Sequence, residues 1–282
     1  MMKRFRRMTT EEIQTVNLEI LKHIDEFCRA HKIRYWLDAG TLIGAIRHKG
    51  FIPWDDDADI CMPRPDYERF LKEYKDSAKY KLYAPEKENC YLMYARLCEM
   101  EKTYFEASAM WTDDSPGVGV DIFPVNGAPD TIEEFDAVVA ESMKNLKKIF
   151  RFRGAFASLK FRRTFLGFAK DAVHCIANVA YRIFGRGSAK RLLRKQVVLF
   201  GKYDYETHSH CYDLTVAISR KKYWPRAWFE KLIEVDFCGE KFFAPGGYDE
   251  RLRRGYGDYM TPPPVAERIV HASLQTMWWK RK

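Results

Sequence analysis

The chain has 282 residues, of which 46% are hydrophobic and 15% aromatic, and its formal net charge is +9. This composition can bury a large core and excludes a disordered protein, and the length fits one enlarged domain or a domain with an insert. Seven cysteines without a C-x-x-C pair argue against a disulfide framework and a structural zinc site. The basic N-terminus lacks a signal-peptide apolar region and no stretch could span a bilayer, so we expect a cytoplasmic protein.

The first predicted element is a helix from about Thr10 to Ala30. Thr9 and Glu12 have the spacing of a capping box, in which each residue satisfies a backbone N–H of the other. Apolar residues recur along one face at steps of three and four, which indicates a core-packing stripe. The stripe consists of Ile13, Val16, Ile20, Ile24 and Phe27.

Residues 35–62 predict a strand over 35–37, a turn at Gly40, a helix from Thr41 to Arg47, and a second strand that begins inside an acidic run. The backbone N–H groups of Gly40 and Thr41, at the positive end of a helix, are suited to a phosphate.

The acidic run places two carboxylates at strand spacing. Asp57 and Asp59 would point to the same side of the sheet, about 7 Å apart, and could share a divalent cation. A solvated turn and a calcium loop are the alternatives. The calcium loop fails because Ile60 stands where an EF-hand needs glycine and Asp66 where it needs glutamate.

The next elements are a helix with Pro65 in its first turn and strands over 81–84 and 91–98. Arg96 lies in the second of these strands and either contacts a phosphate or is a solvated edge charge. A strand over 118–123 then carries Asp121 among apolar residues. That aspartate either points to solvent or belongs to a site.

A helix from about Thr131 leads into a basic segment. Residues 144–195 hold 15 Lys and Arg and one acid, a local charge of +14, interleaved with phenylalanines. Such a segment packs as a helical subdomain, binds acidic partners or lies on an anionic membrane. Farther on, residues 233–244 predict a hairpin turning at Gly239-Glu240, and residues 248–254 a helix ending at Gly255.

Three motifs carry a family resemblance. Residues 37–60 read Leu-Asp-Ala-Gly-Thr-Leu-Ile-Gly-Ala-Ile-Arg-His-Lys-Gly-Phe-Ile-Pro-Trp-Asp-Asp-Asp-Ala-Asp-Ile, residues 120–124 read Val-Asp-Ile-Phe-Pro, and residues 256–260 read Tyr-Gly-Asp-Tyr-Met. They resemble the LicD family, bacterial phosphocholine transferases related to fukutin-type ribitol-phosphate transferases. The resemblance implies an α/β (α+β) fold of nucleotidyltransferase type: a small mixed sheet flanked by helices, here with a basic helical insert.

The resemblance also implies an activity: transfer of a phospho-alcohol such as phosphocholine from a CDP-linked donor, CDP-choline for example, to a sugar hydroxyl of a glycan or lipid-linked acceptor, with release of CMP. Mg²⁺ or Mn²⁺ would be held by Asp57, Asp59 and Asp121. Catalysis would rest on the same three carboxylates. The donor phosphates would contact a further set of residues. That set is Gly40, Thr41, Arg47, His48 and Arg96.

Two other functions stay open. An ordinary nucleotidyltransferase would use the same carboxylates and release pyrophosphate. A non-catalytic protein that binds membranes or nucleic acid through its basic segment would leave the clustered aspartates unexplained. We expect no nucleic-acid partner, peripheral contact with an anionic membrane, and a division into a catalytic core (1–143), a basic insert (144–200) and a closing part (201–282).

Overall fold

The computed structural model describes residues 6–90, 92–105, 116–154, 186–213, 220–268 and 277–280. The described helices are α1 Thr10–His31, α2 Ala39–His48, α3 Arg64–Glu73, α4 Ile132–Gly154, α5 Arg186–Phe200, α6 Ala227–Glu230 and α7 Tyr248–Tyr256. The described strands are β1 Arg6–Arg7, β2 Trp36–Leu37, β3 Asp59–Pro63, β4 Tyr80–Tyr83, β5 Ala95–Glu99, β6 Thr103–Phe105, β7 Gly119–Ala128, β8 His210–Asp213, β9 Trp224–Pro225, β10 Leu232–Phe237, β11 Glu240–Pro245 and β12 Met277–Trp279. Helices and a mixed sheet confirm the predicted α/β (α+β) class.

The main sheet has the order β2-β3-β7-β5-β4, with β8 paired to the far half of β7 and β9 paired to β8. Strands β3 and β7 are parallel, and the other pairs are antiparallel. Every residue of β7 is buried. It is longer than the predicted strand over 118–123 because its first half pairs with β3 and β5 and its second half pairs with β8.

Helix α1 confirms the first predicted element. Thr9 accepts a hydrogen bond from the Glu12 N–H, and Glu12 accepts one from the Thr9 N–H, so the predicted capping box is present. The apolar stripe joins the main core, where Ile13, Ile20 and Ile24 are fully buried. This helix packs against β5 and β7 and therefore supports the centre of the sheet.

The hairpin β10-β11 turns one residue earlier than predicted. Cys238 and Gly239 are its central residues, with φ of 54° and 82°, and Glu240 is already paired with Phe237. Two successive positive φ values give a twist that matches the flanking strands, which accounts for the position of the turn.

Helix α7 is longer than predicted, since it continues through Gly255 to Tyr256. The predicted end at Gly255 is therefore wrong. Gly257 ends the helix with a positive φ of 70°, a conformation that glycine adopts readily. A side chain at Gly255 would come within 2.9 Å of the Arg251 guanidinium, so glycine there allows Arg251 to lie against the helix.

The basic segment is described in part. Helix α4 continues past the predicted boundary at residue 143, and α5 packs beside it, with a buried hydrogen bond from Gln196 to Ser142. The rest of the predicted insert, residues 155–185, lies outside the described residues. None of the helices in the described ranges combines the length and apolar character that a membrane span requires. The predicted division into three parts stays a prediction.

Candidate active site

Asp59 opens strand β3, and its peptide group is held on both sides by the start of α2. Its N–H donates to the Thr41 hydroxyl at 2.8 Å, and its carbonyl accepts from the Asp38 N–H at 3.1 Å. Thr41 is buried, so the hydroxyl is shielded from water. The Asp59 carboxylate therefore has a rigid base at the edge of the sheet.

Asp121 lies directly beside Asp59, because the parallel register of β3 and β7 pairs these two residues. The Asp121 N–H donates to the Ala58 carbonyl at 2.9 Å. On its other side β5 places Arg96 opposite Asp121, with Nε 3.3 Å from the carboxylate Oδ1. A hydrogen bond from Tyr94 also reaches the Asp121 carboxylate. Strands β3 and β7 thus bring two carboxylates together, and β5 adds the positively charged Arg96 beside Asp121.

Burial and crowding disfavour the charged forms of these carboxylates. Burial, followed by the charges of Asp57 and Asp121, raises the pKa of Asp59 well above its usual range. Burial raises the pKa of Asp121 to about 6, although Arg96 and Tyr94 act in the opposite direction. The charge of Asp121 therefore changes with pH not far below neutrality.

Asp57 does not lie in the strand, because β3 begins only at Asp59. The prediction that Asp57 and Asp59 share a face because side chains alternate along a strand therefore does not apply. The charge of Asp57 nevertheless acts on the Asp59 carboxylate. Asp57 also shares a hydrogen bond with Asp55. Burial, followed by the charge of Asp57, raises the pKa of Asp55 to about 8, so Asp55 is mostly protonated at neutral pH.

The predicted phosphate contacts fall into two places. Gly40 and Thr41 form the first turn of α2, where a Cβ on Gly40 would lie 2.4 Å from an Asp55 oxygen. Glycine at this position therefore allows the acidic loop to lie against α2. Arg47 and His48 lie in the last turn of the same helix, away from the carboxylates.

Arg96 is buried, whereas a residue that contacts a phosphate must be open to the ligand. It is 8% exposed, and besides its ion pair with Asp121 it donates to the Gly119 carbonyl at 3.1 Å. This arrangement fits a residue that positions Asp121 and keeps it ionised.

A cavity of about 290 Å³ opens beside Asp59 and contains residues that the sequence analysis missed. Arg251 of α7 forms a buried ion pair with Asp38 at 2.8 Å and lies 3.9 Å from Asp213. Lys222 binds Asp213 at 2.6 Å. The cavity wall is completed by Ala39, Phe123, Lys221, Trp224, Gly255 and Tyr256.

The signal that could have revealed Asp38 lies in the first motif. An aspartate before a helix normally caps it, but the Asp38 side chain makes no capping hydrogen bond and turns to Arg251 instead. Its second oxygen, Oδ1, is buried without a hydrogen-bond partner. Nothing in the local sequence distinguishes Arg251 from the solvated Arg253 of the same helix, because only the packing of α7 onto the sheet buries it.

The predicted divalent cation can be tested against these side chains. Within the described ranges, no three His, Cys, Asp or Glu side chains form a metal-binding set. Asp59 and Asp121 nevertheless adjoin, and Asp121 Oδ1 is buried without a hydrogen bond among the described residues and has only the ion pair with Arg96. Mg²⁺ is commonly held by one or two carboxylates together with substrate phosphates. Asp59 and Asp121 therefore fit a cation that binds together with a phosphate group.

Comparisons with known proteins identify the family of the chain. Residues 32–172 match the family model described as LicD/FKTN/FKRP, nucleotidyltransferase domain. The lipopolysaccharide cholinephosphotransferase LicD of Haemophilus influenzae is 32% identical over 275 residues, covering 94% of this chain and 97% of that protein.

A shorter similarity reaches the eukaryotic branch of the family. Human ribitol 5-phosphate transferase FKRP is 43% identical over 42 residues, which is 15% of this chain and 8% of FKRP. The family model covers half of the chain and the bacterial relative covers nearly all of it. The chain therefore belongs to the LicD family and is a phosphotransferase.

Proposed function

We propose that this enzyme transfers a phospho-alcohol group of the phosphocholine type from a CDP-linked donor to a sugar hydroxyl, with CMP as the leaving group. The acceptor is a cell-surface glycan such as lipopolysaccharide, or its lipid-linked precursor. The similarity to a lipopolysaccharide cholinephosphotransferase along almost the entire chain supports this substrate class. The observation that carries the proposal is the pairing of Asp59 with Asp121 on adjacent central strands.

Asp121 is the residue suited to accept the proton of the attacking hydroxyl. Its pKa of about 6 leaves it mostly ionised at neutral pH, yet close enough to the working pH to take a proton. Arg96 and Tyr94 hold its carboxylate in one orientation. Asp59, anchored through Thr41 and Asp38, supplies the second carboxylate in a position that does not need to reorganise.

Asp59, Asp121 and Asp57 are the residues that would hold Mg²⁺ or Mn²⁺. When bound, such an ion neutralises charge on the donor phosphates, which is the largest contribution expected in phosphoryl transfer. The carboxylates alone would repel an anionic donor, so the acidic site and the anionic substrate are compatible only with a cation between them.

The cavity beside Asp59 is suited to the transferred group. Its volume of about 290 Å³ lies at the lower limit of ligand pockets, so it fits a phospho-alcohol rather than a whole CDP-alcohol. Lys221 offers positive charge to a phosphate, and Trp224 and Tyr256 offer aromatic surface to the alcohol. The nucleotide would then extend away from this cavity.

The description of the matching family model also favours a second candidate, the transfer of a nucleoside monophosphate with release of pyrophosphate. Both reactions would use the same carboxylates, so only the products separate them. Incubation of the protein with Mg²⁺ and a panel of CDP-alcohols, with a glycan acceptor present, should release CMP. Pyrophosphate formed from CTP and an alcohol phosphate, without CMP from any CDP-alcohol, would replace the proposal with the second candidate.

Substitution of the carboxylates tests their roles in that assay. We expect Asp57→Asn and Asp59→Asn each to abolish transfer while the protein stays folded, because each removes a carboxylate from a site rather than an apolar core contact. Glu267→Gln, a charge loss on an exposed residue of the C-terminal region, is the matched control and should leave turnover unchanged. Near-normal turnover in Asp59→Asn would refute the assignment.

Metal binding has a readout that is independent of turnover. Millimolar Mg²⁺ with a CDP-type ligand should raise the melting temperature of the wild type at pH 7.5. At a hundredfold excess over the dissociation constant, the ligand adds about 2.7 kcal/mol to the free energy of unfolding. Asp57→Asn should show a much smaller shift. Equal shifts in the two proteins would contradict a shared cation site.

A further inference from the structure

The loop between α2 and β3, which we call the acidic loop, is attached to helix α1 by two amide side chains. Gln14 Nε2 donates to the Asp55 carbonyl at 2.7 Å and to the Ile52 carbonyl at 3.2 Å. Asn17 Nδ2 donates to the Asp56 carbonyl at 3.2 Å. Residues three apart on a helix lie on one face, so both amides reach the same loop. Three backbone carbonyls of the acidic loop are therefore held by one helix of the core.

These hydrogen bonds fix the backbone on one side of Asp57, and strand β7 fixes it on the other side. The Asp56 carbonyl, directly before Asp57, accepts from Asn17. The Ala58 carbonyl, directly after Asp57, accepts from the Asp121 N–H at 2.9 Å. Because each peptide group is planar, carbonyls held before and after Asp57 leave its backbone little freedom. The position of Asp57 therefore depends on α1 as well as on the sheet.

Packing of α1 does not account for Asn17. The buried face of this helix is otherwise apolar, and Asn17 is 1% exposed. Its Oδ1 is buried without a hydrogen-bond partner among the residues that the structure describes. A buried acceptor without a donor is unfavourable, and an apolar side chain of similar shape, such as leucine, would avoid that cost. What the asparagine contributes in return is its hydrogen bond to the acidic loop.

The acidic loop is a segment that charge repulsion tends to displace. Burial and then the charge of Asp57 raise the pKa of Asp55 to about 8, and the same two causes raise the pKa of Asp59. A lysine on α1 could hold such a loop, but its charge would also repel a cation bound by the carboxylates. Neutral amides bind only the carbonyls. Gln14 and Asn17 therefore restrain the loop and leave the negative charge of its side chains intact.

We propose that Gln14 and Asn17 are positioning residues, which hold the acidic loop so that the Asp57 carboxylate is available to the cation of Asp59 and Asp121. The proposal rests on the proposed function for the role of Asp57 as a ligand of that cation. Residues that hold metal ligands in place contribute strongly to metal affinity, because the ligands then need no reorganisation when the ion binds. Helix α1 would thus take part in the reaction without contacting the substrate.

Binding of Mn²⁺ to the full chain, measured by electron paramagnetic resonance of the free ion with CDP present, tests this role without turnover. We expect Asn17→Leu and Gln14→Met each to weaken Mn²⁺ binding roughly tenfold or more. Both replacements keep the approximate size of the side chain and remove the amide. With a chelator in place of Mn²⁺, backbone amides of residues 52–58 should exchange with deuterium faster in both variants than in the wild type.

Asn89→Leu is the matched control. The Asn89 amide also joins backbone groups of a loop, since it donates to the Leu82 carbonyl at 3.0 Å and accepts from the Ala84 N–H at 2.8 Å. These groups lie at the end of β4, an edge strand two places from β7 in the sheet. The control should lower the free energy of unfolding but leave Mn²⁺ affinity, and exchange over residues 52–58, as in the wild type.

Each outcome decides the proposal. Wild-type Mn²⁺ affinity in the folded variants, equal weakening in Asn89→Leu, or weaker binding with unchanged exchange in the acidic loop would overturn the positioning role. Gln14→Met alone decides if Asn17→Leu folds poorly, since Gln14 is only half-buried. Absence of Mn²⁺ binding by the wild type would instead refute the cation site of the proposed function, and with it the role of the two amides. The two failures are therefore distinguishable.

Discussion

Replacement of Asp55 by asparagine should stabilise the protein at alkaline pH and leave its stability at acidic pH unchanged. Asp55 packs against Gly40 and shares a hydrogen bond with Asp57, and its pKa is raised from 3.8 to about 8. Asparagine keeps the size and a hydrogen-bond donor for Asp57 but cannot ionise. It therefore reproduces the protonated form of Asp55 at every pH.

The sign of the effect follows from proton linkage. Because the folded state binds the Asp55 proton more tightly than the unfolded state does, this proton favours folding at low pH. That contribution is lost as the pH rises from about 4 through about 8. Each pKa unit corresponds to about 1.4 kcal/mol, which sets an upper limit of about 5 kcal/mol at pH 8. Loop relaxation and water penetration reduce it, so we expect Asp55→Asn to gain about 2 to 3 kcal/mol there.

Urea unfolding at pH 4.5, 6.5 and 8.5, with a chelator present, measures this difference. The gain of Asp55→Asn over the wild type should grow with pH, whereas the exposed control Glu267→Gln should differ from the wild type by the same small amount at each pH. A gain for Asp55→Asn that is constant across the series would refute the reasoning, since it would show that ionisation of Asp55 does not strain the folded protein.

Three further outcomes are expected. Thr41→Val should lower the unfolding free energy by about 1 to 2 kcal/mol and reduce kcat more than it changes KM, because the Asp59 N–H loses its acceptor; unchanged kcat would contradict this. Arg251→Met should cost about 3 kcal/mol or more in chemical unfolding, because it leaves Asp38 buried without its partner, and adding Asp38→Asn should restore part of the loss. Absence of that recovery would show that the pair is not coupled. The segment 144–195 should make the protein co-sediment with anionic vesicles, less so as salt increases; no binding at low salt would leave packing as its role.

Local signals in the sequence predicted most of the individual elements. The capping box at Thr9 and Glu12 and the apolar stripe behind it define α1 without reference to any other part of the chain. The end of α7 was predicted at the wrong glycine, because Gly255 and Gly257 are equally good terminators in sequence. Only the backbone shows that Gly257 is the residue with the positive φ that ends the helix.

The site was less accessible to sequence reasoning, because its geometry depends on strand order. Neither β3 nor β7 contains a signal that sets Asp59 beside Asp121, and the motif around each strand indicates only that its aspartate matters. Arg251 was missed for the same reason. Its helix reads as a solvated one with alternating charges, and the burial of this one arginine results from tertiary packing that no local pattern encodes.

The position of β7 has a consequence for how the enzyme acquires activity as it folds. This strand pairs with β3, β5 and β8, which come from three widely separated parts of the chain. Non-local and parallel pairings form slowly, because the entropy of closing a long loop is lost before any stabilising contact forms. Asp121 therefore meets Asp59 only after these distant segments have assembled. In a refolding experiment the return of catalytic activity would follow the recovery of helical signal, so activity measures completion of the sheet.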